Sequence, residues 1–213
     1  MKTIKIKAGG ITNLTDARYF AAREVEWLGF NLVSGSAHYM EPNQMKAIKE
    51  WVDGVKILGE LDMLDALAIE KAWQELELDV VQVGHFTVLD ALKPLADKSI
   101  PIFKEWVIEK AETLEGLAEQ LALFQPYVQG FVLDFQKNGI NWRALNGAQK
   151  ESLAHLCENF PCLLSMEVTP NELQEIITLL QPMGIQLTGG SEEKVGLKSF
   201  DELDELFEVL EKC

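Results

Sequence analysis

The sequence predicts an α/β protein in which eight parallel strands close into a single (β/α)8 TIM barrel. Short apolar segments alternate eight times with amphipathic helical patterns, which is the order of elements in such a barrel. The chain has 213 residues, of which 47% are hydrophobic, and barrels of this kind commonly have roughly 200–250 residues. We therefore expect residues 1–213 to form one barrel domain. A doubly wound open sheet is the alternative that the pattern leaves open.

The predicted strands are short runs rich in apolar residues. They are Ile4–Ala8, Trp27–Val33, Val55–Leu61, Val80–Val83, Ile100–Trp106, Gly130–Phe135, Cys162–Glu167 and Ile185–Thr188. Helical patterns lie between them, near residues 14–25, 42–52, 63–76, 87–97, 109–124, 141–158, 170–181 and 199–211. The last helix is the clearest, because its apolar residues fall on one face and its acidic residues on the other.

The composition excludes several classes of partner. The formal net charge is -15, and an acidic protein is repelled by the phosphates of nucleic acids and by anionic lipid surfaces. No apolar run approaches the roughly 20 residues needed to span a bilayer. Cys157, Cys162 and Cys213 form no metal-ligand pattern, and an odd count without a signal peptide fits a reducing compartment. We expect a cytoplasmic protein without a metal site or a disulfide.

The first strand and the turn after it contain the sequence Lys7-Ala8-Gly9-Gly10-Ile11-Thr12. This segment resembles the opening of the phosphoribosylanthranilate isomerases of tryptophan biosynthesis, where the same place reads Lys-Ile-Cys-Gly-Ile-Thr. In that family the cysteine is the catalytic base, whereas Gly9 has no side chain to take a proton. Lys7 lies two residues before Gly9, so both face the same side of the strand. We expect Lys7 to point into the barrel below Gly9.

Further parts of the resemblance follow in order along the chain. They are Gly29-Phe30 on strand two, Val81-Gln82 on strand four, Asp134 at the end of strand six, and the segment 188–192 with Lys198 after strand eight. The resemblance implies a barrel fold and an Amadori rearrangement of N-(5-phosphoribosyl)anthranilate that needs no cofactor. An acid opens the ribose ring and a base removes the proton of the neighbouring carbon. Because Gly9 replaces the base, we expect this reaction to be impaired or altered.

Candidate catalytic residues lie at the carboxyl ends of the strands, where barrel enzymes have their active sites. Asp134 matches the family's general acid. Glu60 on strand three and Glu105 on strand five are candidates for a relocated base, although each could instead be a paired or solvated carboxylate at the rim. Neighbouring strand residues face opposite ways, so only one of Lys104 and Glu105 can face the barrel centre.

Candidate ligand-binding residues occupy the same end of the predicted barrel. They are Lys7, Asn31, His38, Gln82, Glu167, Gly189, Gly190 and Ser191. The resemblance places His38 where the family has an arginine near the aromatic acid of the substrate. It also places Glu167 where glycines let the backbone approach the substrate phosphate, and a carboxylate there would repel a phosphate. Backbone N–H groups of Gly189, Gly190 and Ser191 could still bind an anion.

Three functions remain open on the sequence. The chain could be an isomerase of this family with a relocated base, or a diverged barrel enzyme for another small metabolite, less phosphorylated or more cationic. It could also be a non-catalytic descendant that binds a ligand or a protein. If Glu60, Glu105, Asp134 and Glu167 face one cavity, the second function is favoured; if they face outward, the third is. We expect a small-molecule ligand, with phosphorylated molecules among the candidates, and a monomer or weak homodimer.

Overall fold

The computed structural model describes residues 4–36, 38–62, 64–110, 114–189, 192–194 and 197–212. In these residues eight parallel strands pair in sequence order, and the last pairs with the first to close a barrel. The strands are β1 (Lys5–Gly9), β2 (Trp27–Asn31), β3 (Lys56–Leu61), β4 (Val80–Val83), β5 (Ile102–Val107), β6 (Gly130–Asp134), β7 (Cys162–Ser165) and β8 (Gly184–Thr188). The closed barrel confirms the predicted fold and rules out the open sheet.

Eight helices alternate with these strands in the described part of the chain. They are α1 (Leu14–Ala22), α2 (Pro42–Lys49), α3 (Ala66–Glu75), α4 (Leu89–Asp97), α5 (Leu117–Phe124), α6 (Gly147–Asn159), α7 (Pro170–Leu180) and α8 (Asp201–Leu210). Side-chain caps fix several starts: Asn13 accepts a hydrogen bond from the Asp16 N–H, and Thr169 forms a capping box with Glu172.

Some element boundaries differ from the prediction. Helix α5 begins at Leu117 rather than near residue 109, and the sixth helical pattern divides into a 3₁₀ turn at Trp142–Ala144 followed by α6. The division occurs because Asn146 forms a capping box with Gln149, which starts a new helix there. Strands β2 and β7 end two residues early, at Asn31 and Ser165. A short antiparallel pair, β9 (Glu192–Lys194) and β10 (Leu197–Lys198), was not predicted.

The described residues carry few features outside the barrel scaffold. None of their helices is long and apolar enough to cross a membrane, and no three of their His, Cys, Asp or Glu side chains form a metal-binding group. Cys157 and Cys162 are buried free thiols, and Cys213 lies outside the described residues.

The barrel interior changes from apolar to polar along the strands. Its apolar layer consists of Trp27, Leu58, Val80, Phe103, Val132 and Leu163. Residues two positions further along a strand face the same way. On β3 to β7 that next step places a polar layer directly above the apolar one, made of Glu60, Gln82, Glu105, Asp134 and Ser165. Lys7 on β1 and Gln186 on β8 join this layer, because Lys7 donates hydrogen bonds to Glu60 and Gln186. The strand periodicity therefore puts the polar side chains at the carboxyl end of the barrel, where a site is expected.

Closure of the barrel depends on a glycine where β8 meets β1. Gly184 pairs with Lys5, and a Cβ atom on Gly184 would lie 2.2 Å from the Lys5 carbonyl oxygen and 2.5 Å from Leu163 Cδ2. The first of these neighbours is backbone and cannot move aside without separating the strands.

We therefore expect Gly184→Ala to destabilise the barrel by at least about 2 kcal/mol, because it overpacks the closing strand pair. The expected fall in Tm is roughly 4–8 °C for a chain of this size. Gly147→Ala is the matched control: it lies in the first turn of α6 with no atom within 4 Å of the added Cβ. Equal Tm values for the two variants, measured by thermal denaturation, would contradict the closure argument.

Candidate functional site

A cavity of about 490 Å³ opens at the carboxyl ends of the barrel strands. Its walls come from residues of seven strands or the loops that follow them. The lining residues are Gly10, Asn31, Val33, Ser36, His38, Glu60, Leu61, Asp62, Gln82, Gly84, Glu105, Asp134, Gln136, Lys137, Gln186 and Thr188. The cavity thus lies directly above the polar layer and includes all three candidate catalytic carboxylates.

Lys7 lies below this cavity and is fully buried, as predicted from its strand face. Its Nζ donates to Glu60 Oε1 at 2.7 Å and to Gln186 Oε1 at 2.6 Å. Gly29 makes room for the ion pair, since a Cβ there would lie 3.1 Å from both Lys7 Cε and Glu60 Oε1. Glu60 therefore faces the cavity with a cation already bound to one of its oxygens.

The side chain of Gln186 lies beside Gly9, where the resemblance would place the catalytic base. A Cβ atom on Gly9 would approach Gln186 Cδ and Nε2 to 3.1 Å each. Two hydrogen bonds hold the amide in place, one from Lys7 and one from Gln186 Nε2 to Ser165 Oγ at 3.0 Å. An amide neither accepts nor releases a proton at neutral pH, so this side chain supplies no substitute base.

Glu105 faces the cavity, and its neighbour Lys104 faces the opposite way, so the alternation predicted for strand five holds. Glu105 Oε1 accepts from Lys137 Nζ at 2.6 Å and from Gln82 Nε2 at 3.4 Å. Burial raises the pKa of Glu105, the Lys137 ammonium lowers it, and the carboxylates of Asp134 and Glu60 raise it further. The net result is a carboxyl group whose pKa is raised towards the range useful for proton transfer.

Asp134 is buried at the end of β6, as its place after an apolar strand predicted. Its Oδ1 accepts from the Lys137 N–H at 2.9 Å, and its Oδ2 lies 3.9 Å from Lys137 Nζ. Lys137 therefore contacts both Asp134 and Glu105 and links the two carboxylates at one side of the cavity.

Gly84, directly after β4, makes room for Asp62. A Cβ on Gly84 would lie 1.8 Å from Asp62 Oδ1, so only glycine allows this carboxylate to lie against the cavity wall. His85 faces away from the cavity and packs between Phe86 and Trp106, and its Nδ1 accepts from the Val107 N–H at 3.1 Å.

Lys104 holds the loop after β4 from behind the cavity wall. Its buried Nζ donates to the carbonyl oxygens of Gly84, His85 and Glu105. Burial lowers the pKa of Lys104 to about 8, while the carboxylates of Glu105 and Asp62 act in the opposite direction. Lys104 thus positions Gly84, and through it Asp62, without facing the cavity itself.

Asn31 and His38 lie at the cavity mouth. Asn31 Oδ1 accepts from the Val33 N–H and from Ser36 Oγ, which shapes the loop after β2. His38 adopts a left-handed backbone conformation with φ of 61°, which is uncommon for a residue other than glycine. Its ring lies over Gly10, where a Cβ would be 3.7 Å from His38 Cγ.

Glu167 and Gly189 line a second cavity of about 560 Å³, between the ends of β7 and β8 and helix α8. Three carboxylates line it, those of Glu167, Glu202 and Glu205, and the described side chains around it include no lysine or arginine. Of the four carboxylates whose placement was to distinguish the open functions, Glu60, Glu105 and Asp134 thus line the main cavity and Glu167 lines the second. Gly190 and Ser191 lie outside the described residues.

Sequence reasoning missed several side chains of the main cavity, among them Asp62, Lys137 and Gln186. Gln186 shares a strand face with Thr188, and Asp62 is two residues after Glu60, so period-two alternation could have identified both. Lys137 lies in a 3₁₀ turn after β6, and no pattern in the sequence indicated that it would reach Glu105.

We expect Glu105→Gln to raise the stability of the protein at about pH 7 but not at about pH 4. A carboxyl whose folded-state pKa is raised binds more protons folded than unfolded, so its contribution to stability falls as the pH rises above its ordinary value of 4.5. Glutamine cannot ionise and keeps an oxygen for Lys137 and Gln82. Urea unfolding at both pH values measures the difference, with Glu151→Gln on the exposed face of α6 as the control. An equal effect of Glu105→Gln at both pH values would contradict the raised pKa.

Comparison with known proteins agrees with this geometry over nearly the whole chain. The family described as N-(5'phosphoribosyl)anthranilate (PRA) isomerase matches residues 6–209. An N-(5'-phosphoribosyl)anthranilate isomerase of Rippkaea orientalis is 29% identical over 216 residues, covering 98% of this chain and 97% of that protein. The phosphoribosyl anthranilate isomerase structure from Thermus thermophilus superposes with a TM-score of 0.77 at 25% identity, covering 98% of this chain and 99% of that chain.

A second solved structure shows the same fold with a ligand. It is a phosphoribosyl anthranilate isomerase in complex with reduced 1-(o-carboxyphenylamino)-1-deoxyribulose 5-phosphate, with a TM-score of 0.76 at 18% identity, covering 99% of this chain and 100% of that chain. The family match spans far more than half of the sequence and includes the strands that carry Lys7, Glu60, Glu105 and Asp134. The chain therefore belongs to the N-(5'-phosphoribosyl)anthranilate isomerase family.

Proposed function

We propose that this chain is a barrel of the PRA isomerase family in which the isomerisation of PRA is impaired. The observation that carries the proposal is the β1 side of the cavity, where Gly9 offers no base and the immobilised amide of Gln186 lies beside it. The loss of one positioned general base lowers a rate by about 10²–10⁴-fold. The acid expected from the resemblance, Asp134, is still in the cavity wall.

The phosphate end of the substrate meets a second obstacle. The related structure holds a ligand with a 5-phosphate. In this chain the loops after β7 and β8 border a cavity lined by Glu167, Glu202 and Glu205, whose charges repel a phosphate. The first turn of α8 also contains Asp201, Glu202 and Asp204, which counteract the positive end of the helix dipole. For these reasons we expect phosphorylated ligands to bind weakly.

A second candidate function is an enzyme that acts on another small metabolite. It is favoured by the convergence of Glu60, Glu105 and Asp134 on one cavity, joined there by Asp62. Glu105 would then be the group that accepts a proton and Asp134 the group that donates one. Under either function we propose a cytoplasmic single-domain protein that is a monomer or weak homodimer and acts without a cofactor.

We expect PRA turnover by the wild-type protein to be at least about 10²-fold below that of the Thermus thermophilus enzyme. Gly9→Cys alone should gain little, because the new side chain meets Gln186, which Lys7 and Ser165 hold in place. Gly9→Cys combined with Gln186→Ala should exceed the single variant by at least about tenfold, since the thiol then has room. Fluorescence assays of PRA consumption measure all three rates.

The control for this experiment is Gly9→Ala combined with Gln186→Ala, which opens the same space without a thiol. It should show no gain over the wild type. Wild-type turnover at the ordinary rate of the family would refute the impairment and indicate a relocated base. A gain in the alanine control equal to that in the cysteine variant would refute the role assigned to the thiol.

We expect Asp134→Asn to abolish whatever PRA turnover the cysteine double variant gains, because asparagine cannot donate the proton that opens the ribose ring. Asparagine keeps the oxygen that accepts from the Lys137 N–H, so the fold should be retained. Asp65→Asn is the matched control, since Asp65 caps α3 through the same kind of bond to the Ala68 N–H, outside the residues that line the cavity. Unchanged turnover in the Asp134 variant would show that this carboxylate is not the acid.

A further inference from the structure

We propose that the main cavity binds a small, unphosphorylated primary amine, whose ammonium group lies against Gln82 between Glu60 and Glu105. This inference rests on the second candidate function, an enzyme for a metabolite other than PRA. It assigns to that metabolite a charge opposite to the one that the family's phosphorylated ligand carries.

The charge of the cavity is the first observation. Four carboxylates line it, those of Glu60, Asp62, Glu105 and Asp134. Lys7 and Lys137 supply two positive charges, and Lys104 behind the wall supplies a third at most. The four carboxylates outnumber these ammonium groups, so the cavity attracts cations and disfavours anions.

The amide of Gln82 is the second, independent observation. Gln82 is only 4% exposed and lies at the cavity floor, on the strand between those that carry Glu60 and Glu105. Its Oε1 has no hydrogen-bond partner among the residues that the structure describes. A buried carbonyl oxygen without a donor costs free energy, so this position calls for an N–H or O–H group from a bound molecule.

The orientation of the amide follows from its other contact. Gln82 Nε2 donates to Glu105 Oε1 at 3.4 Å. Turning the amide over would direct its oxygen at the Glu105 carboxylate, and two acceptors would then face each other. The oxygen of Gln82 is therefore the free acceptor, and a donor that also carries positive charge satisfies it and the neighbouring carboxylates together.

The size of the cavity suits a small molecule, and its surroundings argue against a phosphate ester. About 490 Å³ is within the usual range for small-ligand sites. The adjoining second cavity shares Gln136, Gln186 and Thr188 with the first, and its three glutamates would repel a phosphate that extended from the amine.

Two matched sets of compounds test the charge preference directly. One is ethanolamine, ethylene glycol and phosphoethanolamine; the other is glucosamine, glucose and glucosamine 6-phosphate. Isothermal titration of the wild-type protein should show that the amine of at least one set binds at least about tenfold more tightly than its alcohol and its phosphate ester. Failure of both amines to bind, or equal or tighter binding of the alcohols or phosphate esters in both sets, would overturn the proposal.

Variants of Gln82 test where the ammonium binds. Gln82→Met should remove the preference for the amine and should raise the Tm of the ligand-free protein, because the unsatisfied oxygen is gone. Gln120→Met on the exposed face of α5 is the control and should change neither quantity. Retention of the full preference in Gln82→Met would overturn the assigned position.

The amine titrations and the PRA turnover assay test the two proposals separately. Slow PRA turnover without any amine preference would leave the impairment standing and refute this inference. An ordinary rate of PRA turnover would refute the impairment, whatever the titrations with amines show.

Discussion

The buried ammonium group of Lys7 is the interaction on which the barrel interior depends. An ion that loses its water without gaining partners costs several kcal/mol, so a fully buried lysine needs hydrogen-bond partners, among them a carboxylate. Glu60 from β3 and Gln186 from β8 provide these bonds, and Gly29 leaves the space between them open. The same bond fixes Gln186 beside Gly9. The Gln186 side chain therefore does two things at once: it stabilises the buried Lys7 ammonium, and it fills the space beside Gly9 where the resemblance places the base.

On the side of the cavity formed by β5 and β6, two carboxylates have only one neighbouring ammonium group among the described residues. Glu105 and Asp134 share the ammonium of Lys137, which is half exposed and enters from a loop rather than from the barrel. Burial raises the pKa of Glu105, so ionised Glu105 lowers the free energy of unfolding. An apolar or amide residue at this position would not have this effect. Costs of this kind are typical of functional sites, where a group near its pKa can both accept and release a proton.

Much of this interior could be predicted from strand periodicity, and the parts that could not have definite causes. Alternation predicts the inward direction of Glu60, Glu105 and Asp134, because each lies two residues after an inward-facing apolar side chain. Lys7 was expected inside the barrel because it shares a strand face with Gly9. Strand seven was expected to extend to Glu167, but β7 ends at Ser165 and the Glu167 carboxylate lines the neighbouring cavity. The role of Gly84 could not be foreseen, since it depends on Asp62 from another strand approaching its Cα.

The two departures from the family pattern are easier to explain together than separately. Loss of the base alone would slow the reaction but leave a pocket for the same substrate. Here the cavity beside β7 and β8, near which that substrate's phosphate would lie, is lined with carboxylates as well. A non-catalytic descendant would gain stability by replacing Glu105 or the unsatisfied amide of Gln82 with apolar residues, and a single substitution would suffice for each. Both remain among the residues that line the cavity. The retention of these two polar groups supports the proposal that the cavity binds a ligand other than PRA.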